Sequence, residues 1–317
     1  MLIENPKTYK GSDAETIFFR PTFCGDNATE LGIRVLYNMP MPTTVQVWSR
    51  AENVLQPFAS GWNGGSNSQK LQKTIDMQKV KAETSFSADD YFSMVLEKLV
   101  ADNGVNYQDL TGTELEKAET ELFRQAIAEG VRSTMWIGDT SEEISELTTF
   151  NGFFRHIADA GDKVASTIAG DDEFTATEQL KGCWTQAADE LRSLRSEGQL
   201  VYFVSSDIYN AYLDELDQKG VDTAYTDIVS GQGTLCYHGI PVVEVPLGNY
   251  TQACYSSFCL LTDRRNLVLA LNTADMPENE VRMWYNPDQM ENRQRAVFLA
   301  GAEIIDEKLI SIYHSDH

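Results

Sequence analysis

The sequence predicts an α+β protein, and three observations point there. Strand-type alternation marks residues 43–86 and returns after Asp263. Two capped helical stripes occupy residues 87–130. From about residue 160 to 262, helix and strand patterns alternate. With 317 residues, one or two domains can each bury a sizeable core. The 42% hydrophobic and 23% charged fractions exclude a disordered, collagenous or disulfide-stapled chain. With 48 acidic against 25 basic residues the net charge is −23, which argues against a protein that grips a polyanion.

Residues 1–40 read as an extended arm with a short apolar patch (Ile17, Phe18, Phe19, Phe23), and Met39-Pro40-Met41-Pro42 punctuates its end. Residues 43–50 alternate with Val45 and Val47 on one face, which predicts a strand. A second strand signal runs from Leu71 to Phe86. Its apolar positions are odd at first (Leu71, Ile75, Met77) and then even (Val80, Ala82, Phe86). Side chains alternate with period two, so this shift requires a bulge or a change of environment between Met77 and Val80. From Ser60 to Ser68 every residue except Trp62 is Gly, Ser or Asn. The region therefore reads as a long hairpin projecting from the body.

Ser87 and Asp90 open a helix carrying Tyr91, Val95 and Leu99, with Asn103-Gly104 as its stop. Thr113 and Glu116 cap a second helix with the stripe Leu115, Ala118, Leu122 and Ala126, ending at Gly130. Thr175 and Glu178 open a helix bearing Leu180, Trp184, Ala187, Leu191 and Leu194, closed near Gly198. Leu200–Val204 is a buried-type strand leading through Ser205-Ser206-Asp207 into a helix with Ile208, Tyr212 and Leu216. Residues 234–237 and 240–245 form two strands around His238-Gly239, and further strands fall at 265–271, 280–285, 293–300 and 307–313.

The sequence contains no Walker A, G-x-G-x-x-G, G-x-S-x-G or H-E-x-x-H motif. The four histidines are 156, 238, 314 and 317, and none has a triad-like setting. Cys236, His238, Cys254 and Cys259 are the one metal-like set. C-x-H is too tight for a zinc knuckle and C-x4-C sits at the loose edge, so these cysteines read as small hydrophobes and no metal or cofactor is expected. The five cysteines have no framework spacing, as in reduced cytoplasmic proteins. The N-terminus has no signal-peptide pattern, and no apolar run approaches the roughly 20 residues of a membrane span.

Basic residues are scarce and therefore informative. Between Gln69 and Lys81, Lys70, Lys73, Lys79 and Lys81 stand against Asp76 alone, a net of +3 that leaves −26 elsewhere. Two readings stay open: guards on an exposed strand edge, or an arm lying on the acidic surface of a neighbouring copy. Trp62, an aromatic in a small-residue loop, either anchors such a contact or folds back on its own hairpin.

The second half carries a resemblance. Phe203-Val204-Ser205-Ser206-Asp207-Ile208-Tyr209 with Tyr212-Leu213 and Gly220 is one part of it. Others are Gly231–Thr234 followed by Tyr237-His238-Gly239-Ile240-Pro241-Val242-Val243, and Arg293–Tyr313 with its Ile304–Ile310 stretch. Together with the exit of Val80–Tyr91 into a Ser-capped helix, these segments resemble the major capsid protein of tailed double-stranded DNA bacteriophages.

The resemblance implies an N-terminal arm (1–40), an extended β-hairpin loop (41–86) and a peripheral domain with a spine helix (87–158 and 262–300). An axial domain of mixed sheet and helices would comprise 159–261 and 301–317. It further implies a structural, non-enzymatic protein that self-assembles into hexamers and pentamers of an icosahedral head around DNA. Such a head is built in the host cytoplasm, with a scaffolding protein, a portal and decoration proteins as partners and no membrane. Some members carry a cleaved N-terminal scaffold segment. Here the arm begins at or near residue 1, which implies a separate scaffold or a processed chain. Two alternatives stand beside this one: an encapsulin-type shell around protein cargo, and a cytoplasmic α+β enzyme.

Overall fold

The computed structural model describes residues 7–10, 31–37, 43–48, 60, 70–87, 114–141, 147–168, 175–218, 235–247, 257–272 and 280–314. The helix expected over 87–103 and the loop residue Trp62 lie outside them. The chain divides into two compact units. The first comprises Met1–Pro40, Met77–Arg155 and Leu269–Ala302, and the second Met41–Asp76, His156–Val268 and Glu303–His317.

The first unit is built on a six-stranded sheet. Its strands are β1 (Lys7–Lys10), β2 (Arg34–Tyr37), β5 (Gln78–Ser87), β11 (Leu267–Asn272), β12 (Glu280–Asn286) and β13 (Glu291–Ile304). The order is β1-β12-β13-β11-β2, with β5 pairing β13 off this path. β5 and β13 run antiparallel over ten residue pairs, from Ser87↔Glu291 to Gln78↔Ala300. The long helix α1 (Glu114–Ile137) buries Phe123, Ile127, Val131 and Met135, an i, i+4 series that supplies its apolar stripe. The expected stripe differs from this one. Leu122 is 58% exposed and Ala126 is exposed, one position off the buried face.

Gly130 does not end α1 either. Its backbone stays helical, and a C-terminal glycine stop needs a left-handed conformation. The helix instead ends at Ile137, where Trp136 packs edge-on against Phe153 at 5.3 Å and beside Phe154 at 5.7 Å. Phe153 and Phe154 open α2 (Phe153–Ala160), and with Phe150 they are fully buried, which explains the aromatic run at 150–154.

The second unit holds a six-stranded mixed sheet in the order β6-β14-β10-β7-β9-β8. These strands are β6 (Ala165–Ile168), β7 (Leu200–Val204), β8 (Cys236–Tyr237), β9 (Ile240–Glu244), β10 (Phe258–Asp263) and β14 (Ile310–His314). Every residue of β7, β10 and β14 is buried, so their apolar residues do not alternate with exposed polar ones. α3 (Ala176–Gln186), α4 (Asp189–Ser193) and α5 (Ser206–Gln218) complete the unit. Leu180 and Cys183 of α3 and Ile208 and Tyr212 of α5 pack on Tyr202, Val204, Cys259 and Leu261 of the sheet.

The capping box at Thr175 is present in full. Glu178 N–H donates to Thr175 Oγ1 at 3.3 Å and Thr175 N–H to Glu178 Oε2 at 3.1 Å. The helix it opens is shorter than expected. At Ala187 the backbone turns extended, and α4 and a short 3-10 turn precede Gly198, which closes the segment in the left-handed conformation at φ +69°. The sequence has no breaker at Ala187, and the interruption is tertiary. Gln186 Nε2 donates to the β14 carbonyl of Ile312 at 2.8 Å, tying the end of α3 to the sheet. The β8–β9 turn has φ +51° at His238 and +80° at Gly239, as a two-residue hairpin with two left-handed positions requires.

A separate two-stranded hairpin pairs β3 (Thr43–Trp48) with β4 (Lys70–Ile75), from Thr43↔Ile75 to Trp48↔Lys70. The periodicity shift expected near Met77 is the break between β4 and β5. The two strands belong to different sheets, and the division between the units falls at Asp76/Met77.

Candidate assembly surface

The four lysines that the sequence groups together are divided by the β4–β5 break. Lys70 and Lys73 lie on the hairpin strand β4, while Lys79 and Lys81 lie on β5 of the large sheet.

Lys73 is engaged within its own chain. Its Nζ lies 3.0 Å from Glu307 Oε1 and 3.5 Å from Glu303 Oε1. Lys163 joins Glu307 at 3.3 Å, and His156 Nδ1 lies 3.5 Å from Glu303 Oε1. Burial opposes the charged form of Lys73. The hydrogen bond to Glu307 and the charges of Glu303 and Glu307 outweigh it, so the ammonium is held above its ordinary value. Glu307 is held below the usual carboxylate range, chiefly by the hydrogen bond from Lys73, with Lys163 adding to it against some burial. The cluster fastens the β4 side of the hairpin beside the turn before β14.

Lys79 and Lys81 are exposed on β5 and alternate with the buried Val80. Lys81 forms an exposed pair with Glu83 at 3.0 Å. β5 has a single sheet neighbour, β13, so its other edge is open among the described strands.

The remaining chemistry-bearing groups serve the fold. Cys183 and Cys259 are fully buried, and Cys183 Sγ donates to the Cys259 carbonyl at 3.0 Å. Burial, and the Cys183 thiol beside it, push the Cys259 thiol well up, away from reactivity. Cys236 is exposed on β8, and the His238 ring lies against Tyr237 at 4.2 Å. Cys254 lies outside the described residues. Among the described residues, no three His, Cys, Asp or Glu side chains gather as a metal site. Also among them, no helix is long and apolar enough to cross a membrane.

Ser205, which immediately precedes α5, also bonds the β10 backbone: Phe258 N–H donates to its Oγ at 3.1 Å. Arg265 clamps Asp263 at 2.6 Å and Glu197 at 2.7 Å, an ion pair on the strand-turn-strand corner that the sequence does not reveal. The first unit also has an open groove of about 590 Å³ between α1 and the sheet, lined by Leu122, Phe123, Ala126, Ile127, Val80 and Phe298. Lys81, Glu83 and Glu119 stand among the apolar residues of its lining.

No family model matches the sequence, and no curated protein matches it. Solved structures do. A chain of the satellite phage P4 procapsid superposes with a TM-score of 0.59 at 10% identity, covering 95% of this chain and 98% of that one. The capsid of Ralstonia phage GP4 gives 0.57 at 11% identity, covering 100% and 93%. The capsid of the empty GTA particle gives 0.52 at 13% identity, covering 92% and 91%. The fold is therefore that of the phage major capsid proteins which the sequence resembles.

Proposed function

We propose that this chain is a structural shell subunit. It self-assembles into hexamers and pentamers of an icosahedral head that encloses double-stranded DNA. One observation carries the reading: the match to the procapsid chain covers 95% of this chain and 98% of that one, so the likeness is to the whole capsid fold and not to a fragment of it. The acidic balance suits a wall that contains DNA without gripping its phosphates. The role is structural rather than catalytic. The head would be assembled in the host cytoplasm with a separate scaffolding protein, and would end as the virion capsid with a portal and any decoration proteins. In this reading Trp62, Lys70, Lys79 and Lys81 face neighbouring copies, while Lys73 sets the posture of the hairpin that carries Lys70.

Negative-stain microscopy and light scattering of the purified protein, with and without scaffold, test the proposal. Capsomers, shells or tubes are expected. A monomer or dimer under every salt condition overturns it. Particles of encapsulin size holding protein and no nucleic acid would replace it with the cargo-shell alternative.

A further inference from the structure

Five consecutive residues of β5, Val80 to Thr84, line the groove beside α1. Side chains on a strand alternate between faces, so a trough that touches five in a row runs along the strand's edge and not over one face. β13 occupies one edge of β5, and among the described strands none pairs with the other. Lys81, Glu83, Thr84 and Ser85 are exposed there, and Ala82 is half-buried. The α1 wall of the groove includes Leu122 and Ala126, both exposed. An open strand edge beside an exposed apolar wall is an arrangement that takes up another extended strand.

The order of charges along the edge selects that strand. Two copies of β5 related by a two-fold axis normal to the sheet pair antiparallel and keep α1 on the same side in both. Residues directly opposite must share a face, so the axis passes through a residue position and not between two. With the axis at Lys81 or at Glu83, that charge meets its own copy. At Val80, Lys79 stands opposite Lys81, and at Thr84 no charges within the strand face one another. At Ala82, Lys81 stands opposite Glu83 twice, Lys79 opposite Ser85 and Val80 opposite Thr84. Within one chain Lys81 already pairs with Glu83 at 3.0 Å, so across the axis the four side chains form a closed ring of alternating charge. Edge lysines ordinarily discourage pairing, and Glu83 lifts that protection in this one register.

We propose that β5 is the self-complementary edge of a two-fold contact with a second copy of the chain, its axis at Ala82. The pairing continues the sheet from one copy into the other and satisfies the backbone groups of the open edge. It also brings the exposed Leu122 of each copy over the shared groove. The contact follows from this edge and its groove alone and goes beyond the shell reading, which specifies no strand pairing.

The test places one cysteine on the full chain. Under mild oxidation Ala82→Cys should give a covalent dimer linked between the two introduced thiols, identified by mass spectrometry. Ser85→Cys, on the same exposed edge, should not, because two thiols each three residues from the axis lie roughly 20 Å apart. Lys81→Glu and Glu83→Lys each set like charges across the axis, and each should raise the protein concentration needed to associate in light scattering on the order of tenfold. The double exchange reverses both partners and should restore association. Circular dichroism checks each fold. If Ala82→Cys does not fold, the charge exchange at the two exposed positions carries the test. No link in folded Ala82→Cys, equal linking of both cysteine variants, a link to a native cysteine, or a double exchange no better than the singles overturns the inference. Shells that form without the link overturn it and leave the shell reading intact. A linked dimer that never assembles further supports it and defeats the shell reading.

Discussion

The backbone N–H of Gly152 donates to the carbonyl of Gly138 at 2.7 Å, closing the junction between α1 and α2 with two residues that have no side chain. A Cβ on Gly152 would lie 2.6 Å from the Thr134 carbonyl oxygen and 2.8 Å from the Gly138 nitrogen, both backbone atoms that cannot swing aside. Gly152→Ala should therefore cost about 1–3 kcal/mol, the usual range for overpacking, seen as a lower Tm. Gly130→Ala, in the middle of α1 where an added Cβ meets nothing within 4 Å, should instead stabilise by roughly 0.5–1 kcal/mol. Opposite signs from the same substitution in one unit test the junction directly.

The Lys73 cluster predicts a hairpin that loosens in acid. Glu307 has its carboxyl held below the ordinary range, so its contribution is present above the unfolded value and is lost as pH falls through the folded one. Lys73 is shifted upward, so its contribution is lost only on the far alkaline side. Hydrogen exchange of residues 43–48 and 70–75 should rise as the solution is acidified below the usual glutamate range. Lys73→Gln should already show the faster exchange at neutral pH, with a stability loss of about 1 kcal/mol or less for a pair this exposed. Exchange insensitive to both changes would show that strand pairing alone fixes the hairpin.

On α1, adjacent faces should respond differently. Ile127→Ala removes a buried side chain and should cost about 2–5 kcal/mol in denaturant unfolding. Leu122→Ala acts on a side chain that is 58% exposed and should stay within about 0.5 kcal/mol. Equal losses would restore the stripe expected from sequence.

The hairpin and edge lysines can be separated by variants. Lys70→Gln, Lys79→Gln and Lys81→Gln together should weaken assembly and flatten its salt dependence while leaving subunit unfolding unchanged. Deleting residues 60–68 should likewise spare the subunit and impair assembly. Intact assembly in both variants would reduce these residues to edge guards.

Much of the fold was legible because periodicity and caps are local. The strand at 200–204, the Thr175 capping box, the 238–239 turn and the register change before Val80 all follow from a few adjacent residues. The errors share one cause. The buried face of α1 and the end of α3 are decided by partners distant in sequence: the aromatic cluster at 150–154 and the Ile312 carbonyl. The candidate assembly surface was only half legible. Four lysines in one stretch stand out in a sequence, but only Lys79 and Lys81 share a sheet with the arginines at 282, 293 and 295, through the pairing of β5 with β13 and of β13 with β12. Glu303 and Glu307, which hold Lys73, lie over two hundred residues from it and carry no local signal.

β13 runs beside β12, β11 and β5, and β14 lies between β6 and β10. All the strands these two bind precede them in the chain, β12 immediately before β13 and β5 and β6 far earlier. Until they emerge, neither sheet can close, and the order of synthesis becomes a checkpoint. A nascent or prematurely terminated chain has unpaired strand edges in place of finished surfaces, and is a substrate for chaperones and proteases rather than for polymerisation. In the shell reading, incomplete subunits would thus be kept from a growing lattice by topology alone.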